Sequence, residues 1–260
     1  MKTLQAFLGD AKLKAQMVKE VEKHRKADQI LQGTYGKENG KWRGCAVACS
    51  LRSLAIIKGE SLVESYSEHK RYETDLGIPE WLAQLEDTLF EGMPKKDAKK
   101  WPSQFIKAIP VGVNLEPVKW KFCAYLMKEN IDRVLALKIN DDLKKQVVDA
   151  IRQVLAVHEK AIGTGNWDES AARSAWSAAE SVAESARSAA ESAAWSARSA
   201  AWSAWSAARS AESAARSAAE SAAWSARSAA RSARSAAWSA ACKKHSQYLL
   251  KLLKDSEVTN

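Results

Sequence analysis

The chain has 260 residues, 46% of them hydrophobic and 27% charged, with a net charge of +9 and a pI near 9.3. Its four cysteines, Cys45, Cys49, Cys123 and Cys242, lack the CxxC or Cys/His spacing of a zinc site, so reduced thiols are expected and neither a metal nor another cofactor is implied. The basic balance suits an acidic partner: an acidic protein, an anionic small molecule or nucleic acid.

The N-terminal stretch "MKTLQAFLGDAKLKAQMVKEVEKHRKAD" is broken by charge every few residues. It holds no signal-peptide core and no membrane span, so the protein is expected to stay in the cytoplasm, away from a membrane. Leu4, Phe7 and Leu8, then Leu13, Met17 and Val21, fall near helical spacing, with Gly9 and Asp10 dividing a short helix from a longer one. "GTYGKENGKWRG", Gly33 to Gly44, reads as a loop, and "CAVACSLRSLAII" after it reads as a buried helix. Pro79 is suited to the first position of a helix that turns Leu82, Leu85, Leu89 and Phe90 inward and stops near Gly92 and Pro94. Three more helices are predicted at 95–109, 116–129 and 141–161, with "VLALKI" (134–139) open to a short strand.

The expected fold is all-α: a helical globular domain over 1–165, an Ala/Ser-rich repeat helix over 166–242, and an amphipathic helix and tail over 243–260. After Gly165 there is neither Gly nor Pro. From Glu169 to Cys242 the large residues advance in twenty steps of three or four over 73 residues, a mean of 3.65. On a helix each stands almost above the last, drifting by about 5° per step, so Trp, Arg and Glu form one rib beside a Ser stripe and an Ala face. An unbroken rod of about 110 Å follows from Ala's helix propensity and the absence of breakers. Eight Arg against six Glu leave the repeat itself only +2.

Intrahelical ion pairs account for much of the rib's charge. The tryptophans ask for more. Trp176, Trp195, Trp202, Trp205, Trp224 and Trp238, with Arg198 and Arg227 between them, are read first as an interface that makes a homo-oligomer through the tail. Stacking within the rib is the second use and nucleic-acid binding by alternating indole and guanidinium the third. Past Cys242, Tyr248, Leu249, Leu252 and Leu253 make a stripe that docks either on the folded domain or on a second protomer.

Chemistry is best sought where the loop meets the buried helix. Lys37, Lys41 and Arg43 precede a helix N-terminus that attracts anions or lowers the pKa of a thiol, and Cys45 stands at that position. A thiol hydrolase needs a base; His69, with Glu73 nearby, is the candidate. Core packing is the simpler account of "CAVACS". Glu86 and Asp87 point about 100° apart on one helix and are expected to meet Lys or Arg in a buried salt bridge. Trp101, Trp120 and Phe122 are expected in the core.

At "RGCAVACSL", "EHKRYETDLGIPEWLAQLEDTLFEGMP" and "WPSQFIKAIPVGVNLEPV" the chain resembles an uncharacterised family of bacterial, prophage and phage proteins. These join a helical domain with a GC-x-x-x-C stretch and a His-x-x-Tyr-Glu…Gly-Ile-Pro…Leu-Glu-Asp stretch to an Ala-rich tail. The likeness covers most of residues 1–120; the tail departs from the family's Ala, Tyr and Arg mixture by using Trp and regular Ser. The resemblance implies origin and architecture, brings no activity, and marks Cys45, His69, Tyr72, Glu73, Gly77, Glu86 and Asp87 as the positions to mutate first. Tyr72, Glu86 and Asp87 join the basic loop residues as candidate ligand-binding groups. The leading expectation is a noncatalytic binding or assembly protein; a Cys45–His69 hydrolase and a nucleic-acid binder are the alternatives.

Overall fold

The computed structural model describes residues 4–38, 42–63, 66–174, 177, 180–182, 184, 187 and 214–257. The fold is all-α. Helices α1 (Ala11–Lys26), α2 (Ala46–Lys58), α3 (Lys70–Leu76), α4 (Glu80–Gly92), α5 (Lys95–Ala98), α6 (Trp101–Ala108), α7 (Glu116–Leu135), α8 (Asp141–Thr164) and α9 (Ala214–Lys254) follow one another among the described residues. Two compact units emerge, one of 1–122 with 235–260 and the other of 123–234.

In the first unit α1 packs on α2 and α6, α2 on α4 and α6, and α3 on α4. The core is what periodicity marks: Met17 and Val21 from α1, Leu51 and Leu54 from α2, Leu82 and Phe90 from α4, Phe105 and Ile106 from α6, all buried. Trp101 and Phe122 are buried too. The C-terminal stripe docks on this same unit, through buried Cys242, Leu249 and Leu253. Tyr248 and His245 lie against Phe122, with ring centroids 6.5 Å away in each case, and Lys243 Nζ pairs with Asp97 Oδ2 at 3.0 Å. Gly92 permits the approach, because a side chain there would meet Cys242 and Trp238.

Several elements differ from expectation for local reasons. Residues 6–9 form a 3₁₀ turn in which Phe7 and Leu8 take positive φ (55° and 54°), not a short right-handed helix. Ala6 is held there by hydrogen bonds exchanged with Val113 and Gly112, and Phe7 is fully buried. The loop at 33–44 contains a two-stranded hairpin, Lys37–Glu38 against Trp42–Arg43. The single helix expected at 95–109 is two, because Pro102 lacks an N–H and fits only the first turn of α6. "VLALKI" ends α7 and then turns; it forms no strand. The stretch 70–76, not marked from sequence, is α3.

In the second unit Asn140 caps α8 through its side chain, which accepts from the Leu143 N–H. Lys128 and Glu159 pair at 2.8 Å, and the Trp167 ring packs at a tilt against His158 with centroids 5.1 Å apart. Of the expected rod, residues 169–174 are helical, as are 214–241 within α9, while most of 175–213 lies outside the described residues. No helix among the described residues is long and apolar enough to cross a membrane.

Candidate functional site

The start of α2 is fixed by backbone hydrogen bonds from the preceding loop. Gly44 N–H donates to Gln29 O at 2.9 Å, Leu31 N–H to Gly44 O at 2.9 Å, and Cys45 N–H to Thr34 O at 2.6 Å. Cys45 is the N-cap: its Sγ accepts from the Ala48 N–H at 3.5 Å, the role that a Ser or Asp oxygen commonly fills. The thiol is 1% exposed. Burial, and after it the negative charge of Asp87, hold its pKa well above the ordinary thiol value, outweighing the backbone N–H groups of the helix end. Cys49, one turn on, donates to Gly44 O at 3.5 Å and is likewise held protonated by burial. No disulfide joins any of the four cysteines.

Asp87 is the hub. On α4 its Oδ2 accepts from Tyr35 Oη at 2.7 Å and lies 3.6 Å from His69 Nε2, just before α3. Its hydrogen bond raises the Tyr35 hydroxyl far above the usual phenol range, with burial adding to it. One helical turn further, both carboxylate oxygens of Glu91 accept from the Gly33 N–H, at 3.0 and 2.8 Å. Burial pushes the Glu91 carboxyl up. Cys45, Tyr35, His69, Asp87 and Glu91 thus come from four separate stretches to one place at the head of α2.

Glu86 faces the other way, as the 100° step requires. It is fully buried and accepts from Tyr72 Oη at 2.7 Å. The salt bridge expected there does not form: Glu86 meets a phenol and no cation, and burial raises its pKa to about 8. Asp87 likewise meets a phenol and an imidazole in place of Lys or Arg.

The sequence candidates therefore separate. The structure gathers Cys45, His69 and Asp87 and leaves Glu73 apart, paired with Lys70 at 3.1 Å and accepting from the Glu80 N–H at the start of α4. Tyr72 and Glu86 form a buried pair facing the core. Arg43 is exposed and faces Asp28, at 4.0 Å, which also pairs with Lys99 at 2.7 Å. Lys37 belongs to the hairpin, its side chain outside the described part, and Lys41 lies outside the described residues. Tyr35 and Glu91 were not marked from sequence. The four-residue step from Asp87 to Glu91 is the signal for the second, since it puts both on one helix face; nothing local marks Tyr35.

On the tail, Trp238 is 57% exposed on α9. Trp224 and Arg227 fall within the same helix, their side chains outside the described part, and Trp176, Trp195, Arg198, Trp202 and Trp205 lie outside the described residues. Compared with known proteins, the chain matches no protein-family model, no curated protein and no solved structure.

Proposed function

We propose that the protein is a noncatalytic binding and assembly protein of phage or bacterial origin, acting in the cytoplasm and self-associating through its repeat helix. The observation that carries this reading is Trp238, more than half exposed, in a repeat that sets five further tryptophans along the same rib. An indole offers a large apolar area at small entropic cost and is enriched where protein surfaces meet. A neighbouring Ala face adds little area per residue, so association along it gains strength only by length. Arg231 and Arg234, also exposed on α9, leave the rib able to take an acidic protein, an anionic small molecule or nucleic acid.

Replacing all six rib tryptophans with Ala is expected to convert an oligomer to monomer in size-exclusion chromatography with light scattering, while helicity is retained. An oligomer of unchanged mass removes the tail from the assembly role. Absorbance recorded in the same run at low and high salt reports nucleic acid bound to the Trp and Arg rows, whose affinity falls steeply with salt.

One observation favours a thiol hydrolase as the second reading: Cys45 caps a helix and shares its surroundings with His69. Against it, His69 Nε2 faces the Asp87 carboxylate, and burial and that carboxylate keep the thiol protonated. Cys45 is therefore expected to resist iodoacetamide below pH 8 until the protein is denatured, read by mass spectrometry of the Cys45 peptide. Rapid alkylation of the native protein at neutral pH reverses the order of the two readings.

A further inference from the structure

Three groups able to ligate a metal converge at the head of α2. Cys45 Sγ and one carboxylate oxygen each from Asp87 and Glu91 lie within 4.8 Å of one another. His69 supplies a nitrogen beside them: its Nε2, 3.6 Å from Asp87 Oδ2, is buried and makes no hydrogen bond. Asp87 is 9% exposed, and its second oxygen, Oδ1, is also buried without a hydrogen-bond partner. Among the described residues no Lys or Arg side chain pairs with Asp87 or Glu91. Two acidic groups and a thiol drawn together without a cation, with lone pairs left over on buried atoms, are costly unless a positive charge joins them.

We propose that this cluster binds a divalent transition-metal ion of the zinc type, with Cys45, Asp87 and Glu91 as ligands and His69 as the fourth. One sulfur, one imidazole nitrogen and two carboxylate oxygens make a donor set that suits zinc or cobalt; magnesium and calcium take oxygen alone. Ligand atoms around a tetrahedral zinc stand about 3.5 Å apart, so Cys45, Asp87 and Glu91 close by about an ångström on binding, while His69, which lies outside that group of three, swings in from its place beside Asp87. Glu91, exposed and at the last turn of α4, has room to make that adjustment. The outer groups are also in place. Gly33 N–H orients the Glu91 carboxylate and Tyr35 Oη that of Asp87, the kind of support that raises the affinity of ligating groups. The tail's assembly role does not enter this inference.

The full chain, stripped with a chelator and titrated anaerobically with Co²⁺, is expected to take up one equivalent. A thiolate-to-cobalt charge-transfer band should appear, and Zn²⁺ should bleach it. Cys45→Ser should abolish that band while Cys123→Ser keeps it. Glu91→Gln, a change at an exposed position, should weaken Co²⁺ binding by about tenfold or more with unchanged circular dichroism. Absence of uptake, a charge-transfer band that survives Cys45→Ser, or unaltered affinity in Glu91→Gln overturns the site. The last comparison decides the matter even if Cys45→Ser fails to fold.

Discussion

Gly77→Ala is expected to lower the stability of the first unit by about 2–4 kcal/mol, among the larger losses for a change of a single methyl group. Gly77 ends α3 with φ 63° and ψ 20°, its N–H donating to Glu73 O at 3.2 Å while the next N–H, of Ile78, donates to Tyr72 O at 2.9 Å. An Ala in that left-handed conformation costs about 1–2 kcal/mol by itself. A Cβ would also run into the backbone carbonyl of Gln5, which cannot retreat without moving the turn that buries Phe7. Gly59 makes the control. It ends α2 with φ 69°, and a Cβ there meets nothing within 4 Å, so Gly59→Ala should cost only the conformational part. Urea unfolding of the two variants followed by circular dichroism separates the terms; equal losses would show that the Gln5 contact carries no energy. Because Gly77 sets the angle between α3 and α4, its loss should also disturb His69 against Asp87.

The all-helical class and most of the core follow from features visible along the chain. Period-3.6 apolar spacing marks α1, α2 and α4, and the same spacing marks the stripe that buries Leu249 and Leu253. Where that stripe lands was not legible, since a helix face looks the same whether its partner is the chain's own head or a second copy. The site was half legible. The sequence marks Cys45 at a helix start, His69 as the base available to it, and Asp87 as an acidic residue next to apolar positions; that Asp87 stands next to both is a product of how α2, α3 and α4 meet. Cysteine spacing argues against a zinc site of any kind, yet spacing is blind to ligands drawn singly from distant elements. The expected ion pair for Glu86 does not form for a related reason: burial favours the neutral acid, and only the tertiary fold brings the Tyr72 phenol to it in place of a cation.

That neutral acid makes the second large effect one of pH. Glu86 has no exposed surface, and its pKa in the fold is about 8 against an ordinary carboxyl value of 4.5; burial is the principal cause, Asp87 adds to it, and the Tyr72 hydrogen bond opposes it. A group whose pKa is raised on folding contributes its full stability below the unfolded value and loses it as pH climbs through the folded one. For Glu86 the loss runs from about pH 4.5 to about pH 8, at roughly 1.4 kcal/mol per pH unit, and amounts to roughly 3–5 kcal/mol over the window. Glu86→Gln keeps an acceptor for Tyr72 Oη, and its amide takes the place of the protonated oxygen, so it carries no ionisation to oppose. Near pH 5 the two proteins should unfold at similar urea concentrations. By pH 8 the Gln variant should be the more stable by roughly 3 kcal/mol, the remaining titrating groups cancelling in the difference. A difference that stays constant from pH 5 to pH 8 would mean that Glu86 ionises in the folded protein as it does in water, and that the Tyr72 contact is a hydrogen bond to a carboxylate.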